Sequence, residues 1–179
     1  MHRDIIPSLI IAENIINKSN LPKRIRLNTI DFVSIEYMKQ IKSRSLSFHW
    51  GSKAYEMRKD YVNNNFEVSI WAEDNDQFHF CGCALGRNGK EDDYCSIDFI
   101  EKYDDVPNWI HGRISYLSFV CLYSLSVVSQ KQNLRIYQPN KRFLSVLTGF
   151  LKEKTHISTQ DENGVHYVEF PASHIQDAS

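Results

Sequence analysis

The sequence predicts an α+β (mixed α/β) fold, in which a mostly antiparallel central sheet contains one parallel βαβ crossover and carries helices on both faces. The chain has 179 residues, 42% of them hydrophobic, which suits one domain with one core. Residues 66–99 alternate apolar and polar side chains as strands do, whereas residues 30–41 and 113–130 show helical spacing. Because the second helix stands between two strand patterns, the strands that flank it are expected to be parallel.

The chain shows no internal repeat and no linker that would divide it. We expect residues 1–22 to form an N-terminal helical extension, residues 23–172 a single domain and residues 173–179 a tail. The extension has an apolar patch but no small-residue cleavage site behind it, which argues against a signal peptide.

The first third of the domain is predicted to hold a short strand and two helices. Residues 24–28 form the strand, and Thr29 is a candidate N-cap for the helix that follows. The apolar stripe of that helix is spaced by three and four residues: Ile30, Val33, Tyr37 and Ile41. Ser52 is a candidate cap for the next helix, which runs to about residue 62.

The middle third is predicted to hold three strands. Residues 66–72 and 78–85 flank a polar turn and therefore form a hairpin. Within it, Cys81 and Cys83 are two residues apart, so both thiols should point the same way. Alternation in the third strand places one apolar set on the face opposite Asp98: Cys95, Ile97 and Phe99.

The last third is predicted to begin with the crossover. An apolar helix over residues 113–130 leads to a short strand at residues 134–137, so residues 94–137 should form a right-handed parallel unit. A further helix and two short strands complete the domain: residues 141–154, 156–159 and 165–170.

Composition argues against several classes of protein. A net charge of −1 is unlike that of a general nucleic-acid binder. The longest uncharged run, residues 114–130, is interrupted by five serines, so we expect no membrane span. The four cysteines lie in apolar segments, which indicates buried thiols in a reducing, cytoplasmic compartment. The histidines are scattered and lack ligand spacing, so we expect no metal.

One loop can hold an anionic cofactor. The loop that enters the predicted crossover helix contains Gly112 and Arg113. The first amides of a helix have no partners within it and carry the positive end of the dipole, so they attract phosphate. An ordinary turn glycine followed by a solvated arginine explains the same residues equally well.

The order of these elements resembles that of the GNAT superfamily of acyl-CoA-dependent N-acetyltransferases over roughly residues 24–170. Residues 25–32 resemble the opening strand and helix of that family, and residues 68–85 resemble its first hairpin. Residues 112–125 stand in the place of its pyrophosphate loop and helix. Two short segments resemble its asparagine-start helix and closing Gly-Phe pair: Pro139-Asn140-Lys141-Arg142-Phe143 and Thr148-Gly149-Phe150.

Two positions depart from the family's pattern. Of the pyrophosphate loop, residues 109–114 keep only the central glycine, and Ile114 stands where a small residue is usual. Ser145, a weaker acid, occupies the position of the tyrosine that protonates the departing thiolate, so Tyr137 is a second candidate for that role.

The resemblance implies acetyl-CoA or another acyl-CoA as co-substrate, and it assigns three sets of residues. Catalytic roles fall to Glu101 and Asp98 as proton acceptors and to Tyr137 and Ser145 as acids. The cofactor-binding set comprises Phe99, Ile100, His111, Gly112, Arg113, Ile114, Ser115, Asn140 and Arg142. The aromatic set expected near the acceptor comprises Phe48, Trp50 and Trp71.

The leading hypothesis is therefore an N-acyltransferase, with acetyl as the expected group, whose acceptor amine attacks the thioester directly. The acceptor is an amine of a small molecule or a protein. Residues 61–110 hold 11 acidic and 3 basic side chains, which indicates either solvated loop charge or a rim that attracts a cationic acceptor. The alternatives are a catalytically inactive binding or regulatory module and a toxin- or immunity-type interaction module; a homodimer is compatible with each.

Overall fold

A computed structural model of the chain describes residues 4–40, 50–60, 65–148 and 156–175. The helices in these residues are α1 (Ile5–Lys18), α2 (Phe32–Lys39), α3 (Trp50–Asp60), α4 (Ile114–Val128) and α5 (Lys141–Thr148). The strands are β1 (Ile25–Asn28), β2 (Asn65–Asp74), β3 (Gln77–Arg87), β4 (Tyr94–Ile97), β5 (Phe99–Lys102), β6 (Asn133–Tyr137), β7 (Ile157–Gln160) and β8 (His166–Pro171).

The strands form two four-stranded sheets, which confirms the predicted fold class. The first sheet has the order β1-β2-β3-β5, and all of its pairs are antiparallel. The second has the order β4-β6-β8-β7, and only its β4–β6 pair is parallel. Because α4 connects β4 and β5 to β6, the predicted βαβ crossover is confirmed as a parallel unit.

Helices cover both faces of the first sheet, as predicted. On one face α1 and α4 pack against β2, with Leu9, Val68 and Leu117 in one apolar cluster. On the other face α2 and α3 contribute Met38 and Ala54 to a second cluster that includes two β3 side chains, Cys83 and Leu85. Most of α4 therefore lies in the core, because apolar residues occupy most sides of the helix.

The predicted cap of α2 is wrong, and its predicted stripe is confirmed only in part: Ile30 is buried and Tyr37 packs against the same cluster, whereas Val33 is exposed and Ile41 lies outside the described residues. The N-cap is Asp31, whose side chain accepts the Ser34 amide hydrogen, and Thr29 lies before it. With the helix phased from Asp31, its inward residues are Ser34 and Met38, and Val33 is 49% exposed. An aspartate caps as well as a threonine, and spacing alone does not choose between two nearby caps.

The predicted parallel orientation of Cys81 and Cys83 is also wrong. The β2–β3 register shifts between Ile70 and Trp71, which pair with Gly82 and Phe80, so Cys81 is an extra residue in β3. A bulge of this kind reverses the faces to which the following side chains point. As a result, Cys81 packs with the α1 and α4 cluster and Cys83 with the α2 and α3 cluster.

Several expectations fall on residues outside the described ranges. Phe48, Gly149 and Phe150 are among them, as is the predicted continuation of α5 beyond Thr148. In the ranges that are described, no helix combines the length and the hydropathy needed to cross a membrane. In the same ranges, no three His, Cys, Asp or Glu side chains are grouped as a metal site would require.

Candidate active site

The two sheets separate at Asp98. Before it, β4 pairs with β6 as far as Ile97, which lies opposite Ile136. After it, β5 leaves β6 and pairs with β3. Since β5 ends the strand order of its sheet and does not pair with β6, the two strands are separated beyond the Ile97–Ile136 pair, and we call the space between them the gap. The carboxyl ends of the parallel strands β4 and β6 lie at this gap.

A β-bulge at Asp98 produces the separation. The Leu85 carbonyl accepts the Asp98 amide hydrogen at 2.8 Å, although Leu85 is the register partner of Phe99. Asp98 and Phe99 thus lie opposite the single residue Leu85, and the side chains after the bulge point to the other face of the sheet. The predicted placement of Phe99 beside Ile97 is therefore wrong, because Ile97 packs in the α1 and α4 cluster and Phe99 against the α2 and α3 cluster.

The bulge also determines where the β5 backbone points. The Tyr103 amide donates to the Cys81 carbonyl at 2.9 Å, which makes Tyr103 a residue whose backbone bonds to β3. In an antiparallel ladder such residues alternate, so the backbones of Phe99 and Glu101 also bond to β3. The N–H groups of Ile100 and Lys102 then point into the gap. An amide in that position can polarise a carbonyl oxygen, as an oxyanion site requires.

The first turn of α4 begins close to β5. Gly112 has a φ of 77°, a left-handed conformation that favours glycine, and it lets the chain turn sharply into the helix. Arg113 occupies the N-cap without a side-chain capping bond, and the first turn has no acidic residue. His111, Gly112 and Arg113 are exposed. The helix dipole and the leading amides therefore face solvent with a cationic side chain beside them.

Neither bulky side chain of this loop covers the start of α4. Ile114 is 4% exposed, and its Cγ2 lies 3.2 Å from where a Cβ on Gly82 would be, so it packs against β3. The Trp109 indole N–H donates to the Glu73 carbonyl at 3.2 Å, near the β2–β3 turn. The substitution of Ile114 for a small residue is thus accommodated in the core.

Asp98 lies in a buried ion pair that the sequence did not predict. Its Oδ1 accepts the Ser96 hydroxyl at 2.6 Å, and its Oδ2 lies 2.8 Å from Arg87 Nε. The backbone of Arg87 joins the cluster too, since its amide donates to Ser96 Oγ at 3.1 Å. Burial raises the pKa of Asp98, while Arg87 and Ser96 oppose that rise. Both carboxylate oxygens are held, so Asp98 anchors the bulge. Arg87 is the only arginine in the acidic middle region, and that isolation was the available signal.

Tyr137 lies across the gap from Asp98. It follows Ile136, the last residue paired with β4, and is 9% exposed. The Arg87 guanidinium carbon lies 4.3 Å from the centre of its ring, and the Tyr167 ring centre is 5.3 Å away. Arg87 therefore links Asp98 to Tyr137. By contrast, Ser145 is an exposed residue of α5.

The remaining candidate residues, for cofactor binding and for catalysis, lie on α4, α5 and β5. Asn140 caps α5, because its Oδ1 accepts the Phe143 amide hydrogen at 2.8 Å. Ser115 is half-buried in the first turn of α4, and Arg142 lies in the first turn of α5. Glu101 is half-buried on β5, opposite Cys83, on the α2 and α3 face.

The aromatic residues predicted near the acceptor are only partly described. Trp71 lies on the α2 and α3 face, where its indole N–H donates to Ser69 Oγ at 3.1 Å. Its ring contacts Tyr37 and Phe80 at centre distances of 5.8 and 5.3 Å. Trp50 begins α3. Asp98, Glu101 and Tyr137 thus lie on or between the strands that border the gap, whereas Ser145 is exposed on α5.

Solved structures of known proteins share this fold. A domain from Methanocaldococcus jannaschii matches with a TM-score of 0.57 and 12% identity, covering 83% of this chain and 99% of that domain. Spermidine N-acetyltransferase from Vibrio cholerae, solved with CoA and spermine, matches with a TM-score of 0.56 and 11% identity, covering 84% and 96%. A dodecameric structure of that enzyme matches with a TM-score of 0.54 and 12% identity, covering 83% and 94%.

At these identities the likeness shows the fold alone. No protein-family model matches the sequence, and no curated protein matches it significantly. The structural matches support the resemblance read from the sequence: the chain has a GNAT-like fold, shared with amine N-acetyltransferases.

Proposed function

We propose that this protein is an N-acyltransferase, with acetyl-CoA as the expected donor, that transfers the acyl group to an amine by direct attack. The observation that carries the proposal is the gap between β5 and β6, which opens beside the uncapped first turn of α4. A thioester in this gap would lie between backbone amides of β5 and the buried phenol of Tyr137.

The residues at the start of α4 fit a diphosphate. In this proposal the amides of Gly112, Ile114 and Ser115 donate to its oxygens, since the Arg113 amide already donates to the Ile110 carbonyl, and the side chains of Arg113 and His111 add hydrogen bonds. The Ile100 amide, which points into the gap, polarises the thioester carbonyl. Asn140 and Arg142, at the start of α5, contact the pantetheine arm.

The transfer step needs one proton acceptor and one proton donor. The nitrogen lone pair attacks the thioester carbon, a C–N bond forms and the C–S bond breaks. The proton lost by nitrogen passes to a carboxylate, and the thiolate takes a proton from an acid. We assign these roles to Glu101, a half-buried carboxylate on the strand that borders the gap, and to Tyr137, a buried phenol at the end of β6, whereas Ser145 is exposed on α5.

The decisive experiment measures the melting temperature with and without acetyl-CoA. A ligand that binds only the native state raises it by mass action. We expect a shift for the wild type and none for Gly112→Asp, which places a carboxylate where the diphosphate binds. Gly164→Asp is the matched control, since Gly164 also has a positive φ of 75° and nothing lies within 4 Å of an added Cβ. An unshifted wild type at millimolar acetyl-CoA would refute the proposal.

Turnover is then tested by release of free thiol with a panel of amines. All four cysteines are buried, and burial raises the pKa of the Cys81 thiol to about 12, so the protein contributes little background. The same buried thiols, which form no disulfide, support our expectation that the protein works in the reducing cytoplasm.

A second candidate is a module of this fold that binds acyl-CoA without transferring the group. The exposed Ser145 in α5, where a tyrosine is usual, favours it. A melting shift with acetyl-CoA but no thiol release with any amine would identify this case. The predicted domain limits and the compatible homodimer stay predictions; light scattering of the purified chain tests the latter.

A further inference from the structure

Two polar residues of β2 lie in the core next to the candidate active site. Asn65 is 2% exposed and Glu67 is 1% exposed. The residues between and after them, Phe66 and Val68, pack with α1 and α4. Since side chains alternate along a strand, Asn65 and Glu67 both point to the opposite face, which α2 and α3 cover.

The Asn65 carboxamide has no hydrogen-bond partner in the described part of the chain, at either Oδ1 or Nδ2. Its register partner across β3, Arg87, is bound to Asp98. Buried polar groups are nearly always paired, so an amide with both ends unpaired requires an explanation. The buried Asn88 differs in that one end is paired: its Nδ2 donates to Ser129 Oγ at 3.0 Å, and only its Oδ1 has no partner in the described part of the chain.

The position of Glu67 relates this polar pair to the gap. Glu67 lies opposite Leu85 of β3, and Leu85 lies opposite Phe99 of β5. Neighbouring strands are about 4.8 Å apart, so Glu67 is roughly 10 Å from the edge of the gap along one row of the sheet. The α3 helix crosses the same row, since Lys53 Nζ lies 5.2 Å from the centre of the Phe99 ring. An acceptor that reaches Glu67 and Asn65 from the gap must therefore follow this row and displace the packing of α3 on the buried Leu85.

We propose that Glu67 and Asn65 bind the distal polar group of the acceptor amine. This inference rests on the proposed function, which places the reacting nitrogen at the gap. A carboxylate accepts hydrogen bonds, and a carboxamide both donates and accepts, so the pair fits a group that donates hydrogen bonds. The acceptor class is then a long primary amine with a hydroxyl or a second ammonium group roughly 10 Å from the reacting nitrogen.

A stability measurement tests the role of Asn65 without any acceptor. Replacing an unpaired buried amide with an apolar side chain of similar shape removes a desolvation cost. We expect Asn65→Leu to raise the melting temperature by roughly 3 °C or more, whereas the control Asn88→Leu lowers it by breaking a formed bond. If Asn65→Leu lowers the melting temperature as Asn88→Leu does, Asn65 is structural and the inference is wrong.

A binding measurement tests the pair directly and does not depend on turnover. Calorimetry in the presence of CoA compares three probes of equal length: octylamine, 8-amino-1-octanol and 1,8-diaminooctane. We expect the wild type to bind at least one bifunctional probe about tenfold more tightly than octylamine. Glu67→Gln and Asn65→Leu should remove that preference and leave the octylamine affinity and the acetyl-CoA melting shift unchanged. A stronger effect on the diamine identifies an ammonium ligand, and a stronger effect on the amino alcohol identifies a hydroxyl.

The outcomes separate this inference from the proposed function. Equal affinity of the wild type for all three probes, or an equal loss for all three in the variants, overturns the inference while the transferase proposal stands. Selective binding through Glu67 in a protein that shows no acetyl-CoA shift would instead support the amine site and refute the transferase.

Discussion

Replacing Arg87 with methionine is the sharpest test of how the gap is built. Arg87 Nε lies 2.8 Å from Asp98 Oδ2, and the two side chains are 19% and 13% exposed. Methionine keeps an apolar stem of similar length, so the packing of that stem is largely preserved. The substitution therefore isolates the charge and leaves Asp98 buried without its cation.

The expected loss of stability follows from the burial of the Arg87–Asp98 ion pair. Removing one partner of a buried ion pair costs about 3–5 kcal/mol, because the remaining charge is uncompensated. Loss of the guanidinium contact with Tyr137, at 4.3 Å from the ring centre, adds about 0.5–1 kcal/mol. For a chain of this size we expect the melting temperature at pH 7 to fall by about 10 °C or more.

The stability deficit of Arg87→Met should depend on pH, and the pKa of Asp98 gives the direction of that dependence. Burial raises the pKa of Asp98 above its unfolded value, and Arg87 opposes that rise. A carboxyl with a raised pKa contributes stability that is present at low pH and is lost as pH rises through the folded pKa. Arg87→Met raises this pKa further, so the variant loses stability over a wider pH range. Its deficit should be largest at pH 7 and shrink toward pH 4 to about 1–2 kcal/mol, because protonation of Asp98 neutralises the stranded charge.

Urea denaturation at pH 7 and pH 4 measures both values. The double variant Arg87→Met with Asp98→Asn is the control, since a neutral amide replaces the stranded charge. It should recover at least about 2 kcal/mol of the loss at pH 7. A deficit independent of pH, or a double variant no more stable than Arg87→Met alone, would show that the ion pair does not hold the bulge.

Two further predictions concern the strands at the gap and the acid. A Cβ on Gly86 would lie 1.7 Å from the Ser96 carbonyl oxygen, so Gly86→Ala must separate β3 from β4. We expect the substitution to lower the free energy of unfolding, measured by denaturation, by about 3 kcal/mol. A loss below about 0.5 kcal/mol would contradict the close approach. Tyr137→Phe should lower the rate of thiol release about a hundredfold without changing the melting shift that acetyl-CoA produces. Ser145→Ala should change that rate less than about twofold. A larger effect of Ser145→Ala than of Tyr137→Phe would make Ser145 the acid.

Periodicity accounts for the parts of the fold that the sequence predicted. The alternation in β2 and β3 and the apolar character of α4 are local properties, and each requires a particular partner. The hairpin needs a second strand, and a helix that is apolar on most sides needs a core. The turn that enters α4 at Gly112 was predicted for a similar local reason, since glycine readily adopts a φ of 77°.

The parts that the sequence did not predict depend on a neighbouring strand. The bulges at Cys81 and Asp98 reverse the faces of the residues that follow them, and each is defined by the strand opposite. The pairing of Arg87 with Asp98 and the unpaired carboxamide of Asn65 likewise arise from register across β3.

By itself, the sequence determined the class of fold, the order of its elements and the glycine that opens the helix after the gap, because these follow from the period of hydrophobic residues and from backbone freedom. Only the tertiary structure decided where the sheet divides, which face each catalytic candidate occupies and which side chains hold Asp98. Those features are set by contacts between strands far apart in the chain, and side-chain period along one strand carries no information about them.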